Sequence, residues 1–527
     1  MKSDAATKLD IIFIVLDTQR ADRLSCYGYS RPTSPNIDTF AREATLFERA
    51  ISPAQWTIPS HASMFTGEYP TFHGTLQAYE TLDDTLPVLA ELLQANGYHT
   101  VGFSNNAMVG SLDNDFRRGF NDFYNYGGMF TSVPELLSRP KPLHGLRRLH
   151  HRLISRVGHF VQNRVASSDL VYRLAMNPII RSVWPLFVQA KGNTARSLWD
   201  SSKYFRRHRN SGRDRPPLFL FINLMEAHPS WWPPRRFINR FAPYMWHERQ
   251  ARDFARSWNS QMYRWSIPAV EPLSELEGRV LNDLYDASVA YQDRLLGRFF
   301  RRLRRMQALG DTLVIITSDH GEGLGEHGFF GHSFVVYEEV AHVPLIIRYP
   351  PLYPAERRLS SVVSSRRIFH TILQAAGVSR GTDRHALPDG IQDLSLTHTV
   401  QGADPEKEVV FSEAYPLVPL LQAMERHHPD AIDRFRCHLT RRAVYSGSSK
   451  LIKVNDVADE MFDVRADPSE TSSLLAQHRD QARLLDDLQT TFFQSGEKKA
   501  EDGEKARLDL YEDELVEQRL RDLGYIE

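Results

Sequence analysis

The sequence predicts an α/β fold with a large mixed, mostly parallel sheet between helices and a smaller α+β unit at the C-terminal end. Two observations carry this prediction. Five short apolar runs, rich in β-branched and aromatic residues, have the length of buried strands, and segments of helical period lie between them. The composition agrees: 42% apolar and 24% charged residues in a 527-residue chain is the make-up of a folded protein with a sizeable core.

The first run, Ile11–Leu16, follows a polar start and ends at Asp17. Six apolar residues are enough for a strand but too few for a secretory or membrane-spanning segment. No later stretch reaches eighteen apolar residues without a charge, so the expected location is the cytoplasm. Leu82–Asn96 reads as a helix, with Asp84 and Thr85 as cap residues and Gly97 as its stop. The runs Thr100–Phe103, Leu218–Leu224, Thr312–Thr317 and Pro344–Arg348 read as further strands, and the stretch from about Leu284 to Arg305 as a long helix. The expected organisation is a catalytic unit over residues 1–400, interrupted at about 131–215 by a basic helical insertion, followed by a smaller unit over 401–527. The latter closes with a charged helical tail, Glu497–Glu527.

The 64 lysines and arginines almost balance the 65 aspartates and glutamates, so no nucleic-acid polymer is expected as a partner. The balance is uneven along the chain. Residues 138–215 carry 17 basic residues against Asp169, Asp200 and Asp214, an excess of fourteen positive charges. The plain reading is a solvated insertion packed by its apolar faces. The alternatives are a lid over the active site and a contact surface for anionic lipid or another subunit, and a homo-oligomer is expected. Two cysteines, Cys26 and Cys437, lie far apart and outside any ligand motif, which excludes a disulfide scaffold and a thiolate metal site.

Chemistry-bearing residues gather in three distant segments: LDTQRAD with Asp17, SPAQWTIPSHASMFTG with Thr57 and His61, and TSDHGEGLGEHGFFGHS with Asp319, His320, His327 and His332. Asp17 and Asp319 each fall just past a strand predicted to be parallel, the edge where open α/β sheets bind ligands. Two carboxylates and a histidine there suit a divalent metal: Mn²⁺ or Zn²⁺ for mixed oxygen and nitrogen donors, Ca²⁺ or Mg²⁺ for oxygen alone. Thr57 precedes Ile58-Pro59, a helix-start pattern. It therefore belongs at or near a helix N-cap, either as a plain cap or beside a bound oxyanion.

Together these segments resemble the sulfatase branch of the alkaline-phosphatase superfamily. SPAQWTIPSHASMFTGEYPTFHG resembles the sulfatase signature, normally Cys or Ser-x-Pro-Ser-Arg; TLPVLAELLQANGYHTVGF resembles the helix and strand that follow it. MEAHPSWWPP resembles the segment of a substrate-binding histidine, here His228. SDHGEGLGEHGFFGH resembles the second metal segment, and EMFDVRADPSETSSL with LRDLGYIE resembles the C-terminal domain and tail. The resemblance implies one divalent metal held by Asp17, Thr57, Asp319 and His320, and a small anionic ester as substrate. It further implies roles for His228 and His332 in catalysis, and for His61, Asn105, Asn106 and His327 in substrate binding.

The departures from the pattern bear on mechanism. Thr57 stands where the family forms formylglycine from Cys or Ser, and threonine cannot be converted. His61 replaces the signature arginine, Thr18 the second aspartate of an Asp-Asp pair, His332 a lysine, and Ser104-Asn105-Asn106 a Lys-Trp-His segment. These changes resemble relatives with a metal-bound threonine nucleophile, such as phosphodiesterases, and the single-metal set resembles phosphonate monoester hydrolases. A formylglycine hydrate expels sulfate by C–O cleavage; sulfo-threonine has no such exit, whereas phospho-threonine is cleaved by attack at phosphorus. The expected function is hydrolysis of phosphodiesters or phosphonate monoesters through a phospho-threonine. The alternatives are sulfate-ester hydrolysis without formylglycine and a phosphoglycerol- or phosphoethanolamine-type transferase.

Overall fold

The structure, a computed structural model, describes residues 9–127, 135–136 and 191–501 apart from the single positions 79, 111, 113 and 213. The core is a sheet of nine strands. These are β1 (Asp10–Leu16), β2 (Thr45–Ile51), β3 (His99–Ser104), β4 (Asp122–Asn125), β5 (Glu135–Leu136), β6 (Leu218–Leu224), β7 (Thr312–Thr317), β10 (His342–Arg348) and β11 (Arg357–Ser364); β8 (Gly323–Leu324) and β9 (Phe330–Gly331) form a separate hairpin. The order is β11-β2-β10-β7-β1-β6-β3-β4-β5. The central strands β7, β1, β6 and β3 run parallel, β4 pairs parallel with β3, and β10 lies antiparallel to both β7 and β2.

Alternation along the central strands builds both layers of the core. Ile11, Phe13, Val15, Phe221 and Ile315 pack on the face covered by the helices Thr57–Thr66, Leu89–Ala95 and Ile368–Ala375. Ile12, Ile14, Leu16, Ile222 and Ile316 pack on the opposite face, under the helices Thr194–Arg209 and Glu275–Arg305. Strands buried on both faces are largely apolar, which is why their runs stand out in the sequence. A second, antiparallel sheet follows: β12 (Val409–Ala414), β13 (Arg441–Ser446), β14 (Ser449–Val454) and β15 (Val457–Asp463). The helix Arg479–Glu501 covers it through Ala482, Leu485 and Phe493. Ile51 and Val362 of the large sheet share an apolar cluster with Val410, Tyr445 and Phe462 of the small one.

Several boundaries differ from the sequence reading. The helix expected over Leu82–Asn96 is confined to Leu89–Ala95. Pro87 disfavours helical backbone at Leu86, and Asp83 accepts from the Thr85 N–H at 2.7 Å in a turn of its own. The long helix starts at Glu275, ten residues or so before the expected point, where Ser274 and Glu277 form a reciprocal capping box. The tail expected to start at Glu497 is entered by a helix that begins at Arg479; beyond Glu501 it lies outside the described residues, as do residues 137–190 of the basic insertion with its expected lipid or subunit contacts. The described end of that insertion is structural: Leu198 and Phe205 are buried against the sheet, and Arg209 and Arg215 clamp Asp10 at 3.0 and 2.7 Å. Among the described residues no helix is long and apolar enough to cross a membrane.

His73 secures the helix Thr57–Thr66 to its following loop. Its Nε2 lies 3.2 Å from Pro59 O and 3.0 Å from Ser63 Oγ, while Nδ1 accepts from the Thr75 N–H at 3.1 Å. Burial holds the ring neutral, its pKa lowered to about 3. An unfolded histidine titrates near 6.5, so as pH falls from that value the unfolded chain binds the extra proton and the fold loses stability. We predict that His73→Gln loses less melting temperature between pH 7 and pH 5 than the parent. Equal losses in thermal melts would remove His73 from the acid response.

Candidate active site

The site is built at the carboxyl ends of the parallel strands. Asp17 follows β1, Asp319 and His320 follow β7, Asn223 is next to last in β6, and Asn105-Asn106 follow β3. All six are buried. Asp17, Asp319 and His320 converge: one ligand atom from each of the three residues lies within 4.8 Å of the other two. Asp17 Oδ1 and Asp319 Oδ2 have no hydrogen-bond partner, although the second oxygen of each carboxylate is held. Asn106 Nδ2 donates to Asp17 Oδ2 at 2.7 Å, and the N–H groups of Thr18 and His320 donate to Asp319 Oδ1 at 3.2 and 3.0 Å. Thr18 turns through φ +57 to make its contact, a left-handed conformation that a β-branched residue adopts only under constraint.

Burial raises the pKa of Asp17 to about 6, and burial together with the charge of Asp17 pushes Asp319 well above the carboxylate range. Burial, reinforced by His332, holds His320 neutral. Two buried carboxylates can both ionise only beside a cation. The orphaned oxygens and the unprotonated imidazole therefore fit a divalent metal.

Thr57 is the first residue of its helix, one place beyond the N-cap, Trp56. Its hydroxyl faces the cluster, with Oγ1 3.4 Å from His320 Nε2, and does not serve as a plain cap. Ser60 in the same helix donates to Asp319 O at 2.6 Å, and Ser52 donates to the same oxygen, so the helix that begins at Thr57 and the loop after β7 are tied together. His332 Nδ1 lies 3.2 Å from Glu322 Oε2, and its ring is 4.3 Å from that of His320 and 5.4 Å from that of His228. His228 donates from Nδ1 to Pro229 O at 2.6 Å; burial, then His332, pushes its pKa well below the usual histidine value.

Four residues expected to bind substrate have other partners. His61 is fully buried, with Nδ1 2.9 Å from Thr57 O and Nε2 3.3 Å from Asn223 Nδ2, so both ring nitrogens are engaged. Asn106 orients Asp17, and Asn105 spends its amide N–H on Thr194 Oγ1 at 2.9 Å. His327 stacks on Tyr337 at 3.8 Å and belongs to a separate group with Glu339 and Glu470. The sequence reading missed Asn223 and Glu322, which meet His61 and His332. Asn223 is the one polar residue inside the run LFLFINL, a signal in itself.

The sulfatase family model matches residues 10–378, and a model described as N-sulphoglucosamine sulphohydrolase, C-terminal, matches residues 325–498. The chain belongs to the sulfatase family and is a hydrolase of that family. It is 23% identical over 533 residues to an N-acetylglucosamine-6-O-sulfatase of Bacteroides thetaiotaomicron, covering 88% of this chain and 82% of that one. It is 25% identical over 475 residues to arylsulfatase K of Xenopus laevis, covering 86% and 76%. Its fold is also that of the phosphonate monoester hydrolase of Agrobacterium radiobacter, with a TM-score of 0.61 and 19% identity over 94% of this chain and 96% of that one. A protein solved with its substrate D-glucosamine-2-N,6-O-disulfate gives a TM-score of 0.63 and 18% identity over 94% and 99%.

The asparagine behind Asp17 supplies a test of the metal centre. Asn106→Ala is predicted to weaken Mn²⁺ or Zn²⁺ binding by about tenfold, the scale of a lost outer-shell hydrogen bond, and Asp17→Asn to abolish stoichiometric binding. Titration calorimetry that finds parent affinity in both variants would place the ion elsewhere.

Proposed function

We propose that the protein hydrolyses phosphodiesters or phosphonate monoesters with Thr57 as its nucleophile. The observation that carries this reading is the Thr57 hydroxyl, buried at the first turn of a helix and facing His320 beside two orphaned carboxylate oxygens. Asp17, Asp319 and His320 would hold one divalent ion, Mn²⁺ or Zn²⁺ by donor type, with Thr57 Oγ1 beside it. When bound, such an ion supplies positive charge that favours an ionised hydroxyl and offsets charge on the ester oxygens.

The chain's own groups account for the remaining chemistry. The helix that starts at Thr57 would offer its positive dipole end to the anion. Thr57 Oγ1 forms the new bond to phosphorus as the bond to the leaving alkoxide breaks. Of the two candidate acids, His332 is better placed to protonate that alkoxide, because its Nδ1 rests against the Glu322 carboxylate. His228, neutral and donating through Nδ1 to Pro229 O, offers its other nitrogen as an acceptor. Water then attacks phosphorus in the phospho-threonine and the hydroxyl is restored.

A phosphorus ester suits this nucleophile better than a sulfate ester, because phospho-threonine is open to attack at phosphorus whereas sulfo-threonine lacks the C–O exit of a formylglycine hydrate. Sulfate-ester hydrolysis is the second reading, favoured by relatives that are named sulfatases. We predict that aryl phosphodiesters and phosphonates outpace aryl sulfates in a panel run with Mn²⁺ or Zn²⁺, and that Thr57→Ala lowers kcat/KM by at least about a thousandfold. Faster sulfate turnover would select the second reading. Undiminished activity of Thr57→Ala would exclude Thr57 as nucleophile.

A further inference from the structure

The candidate metal cluster gathers two buried carboxylates, and His61, in the place of the signature arginine, has both ring nitrogens engaged by Thr57 O and Asn223. An anionic ester entering such a site benefits from a fixed protein cation as well as a metal. Arg20 reaches Glu322 O, but its guanidinium is engaged by Asp22 and Glu326, each at 2.7 Å. Lys191, the first described residue of the basic segment after its undescribed part, is differently placed. Its Nζ donates to Glu226 O at 3.0 Å, two residues before His228. Its charge acts at once on Asp17, Glu226, His228 and Glu322, groups contributed by β1, the loop after β6 and the loop after β7.

The backbone at Lys191 is fixed against the same edge of the sheet. Gly192, at φ +62, sits where an added Cβ would come within 2.6 Å of Tyr126 O and 3.4 Å of Asn105 Cβ. Thr194 accepts from Asn105 at 2.9 Å, and the adjacent Asn106 holds Asp17. The strap Lys191–Thr194 is thereby keyed to the residues that orient the metal ligand. An ammonium has three protons to donate, and one of them goes to Glu226 O.

We propose that Lys191 binds a non-bridging oxygen of the ester anion and so supplies the site's protein cation from within the basic segment. This rests on the reading of the site as one for anionic esters, but not on which bond is broken. It explains how a chain with Ser104-Asn105-Asn106 after β3 keeps a cation at this edge: the charge arrives from a segment nearly ninety positions later in the sequence.

The test is binding of inorganic phosphate to the full-length, Mn²⁺-loaded protein by titration calorimetry, alongside steady-state kinetics on an aryl phosphodiester. Lys191→Met should weaken phosphate binding about ten- to a hundredfold, the range of one charge-assisted hydrogen bond, and raise KM more than it lowers kcat. Lys191→Arg should recover part of both losses, with metal stoichiometry unchanged throughout. If Lys191→Met fails to fold, Lys191→Gln, which keeps a donor for Glu226 O, takes its place in the comparison. Phosphate affinity and KM equal to the parent's in the folded variant would overturn the proposal while leaving the hydrolytic reading intact. A parent that turns over no ester, yet loses phosphate binding on loss of Lys191, would overturn the hydrolytic reading and leave this one standing.

Discussion

Two carboxylates, Asp17 and Asp319, are buried side by side at the ends of adjacent parallel strands, and much of the molecule is arranged around that fact. Burial opposes their ionisation, and the charge of Asp17 opposes it further at Asp319. Each has one oxygen held by hydrogen bonds and one left without a partner, so a cation completes the pair. The strand register that sets β1 between β6 and β7 brings them together. The turn at Thr18, the serines that bind Asp319 O and the asparagines after β3 then hold the loops in place. These supports come from four separate stretches of chain, so the geometry of the pair depends on the whole central sheet.

Thr57 is keyed to the same pair. Its helix begins beside Asp319, is tied there through Ser60, and is braced behind by His61 and His73. A family signature built around formylglycine thus contains an unconvertible hydroxyl in a setting suited to nucleophilic attack. His61, in the place of the signature arginine, has turned inward: it secures Thr57 O and Asn223 and presents no free nitrogen to a substrate. The cationic role associated with that part of the family pattern then has to be met from elsewhere, and Lys191 is the residue positioned to meet it.

The parts of the fold that could be read in the sequence are those buried on both faces. Largely apolar runs gave Leu218–Leu224 and Thr312–Thr317 their full extents, because burial on both faces leaves little room for polar side chains. β2 and β11, toward one margin of the sheet, carry Glu48, Arg49, Arg357 and Arg358 in their strands. Arg358 pairs with Glu48 on the neighbouring strand and Arg49 lies beside Glu338 of a short helix, and such charges break the apolar pattern on which a sequence reading relies. At the site, Asp17, Asp319 and His320 were legible because strand ends and glycine-rich loops announce themselves. The partners chosen by His61, Asn105, Asn106 and His327 were not, because whether a polar side chain faces a substrate or a neighbouring loop is decided by tertiary packing. Lys191 was hidden for the same reason among the many basic residues of its segment.

The central claim is that Thr57 Oγ1 takes the phosphoryl group, and its most direct test is to look for the adduct. The Mn²⁺-loaded protein, quenched with acid during turnover of an aryl phosphodiester and digested, should yield a peptide spanning Thr57 that carries the transferred phosphoryl ester on that residue by tandem mass spectrometry. The account would be contradicted by the same group on a histidine instead, or by a Thr57 peptide that remains unmodified while a pre-steady-state burst shows a covalent intermediate accumulating.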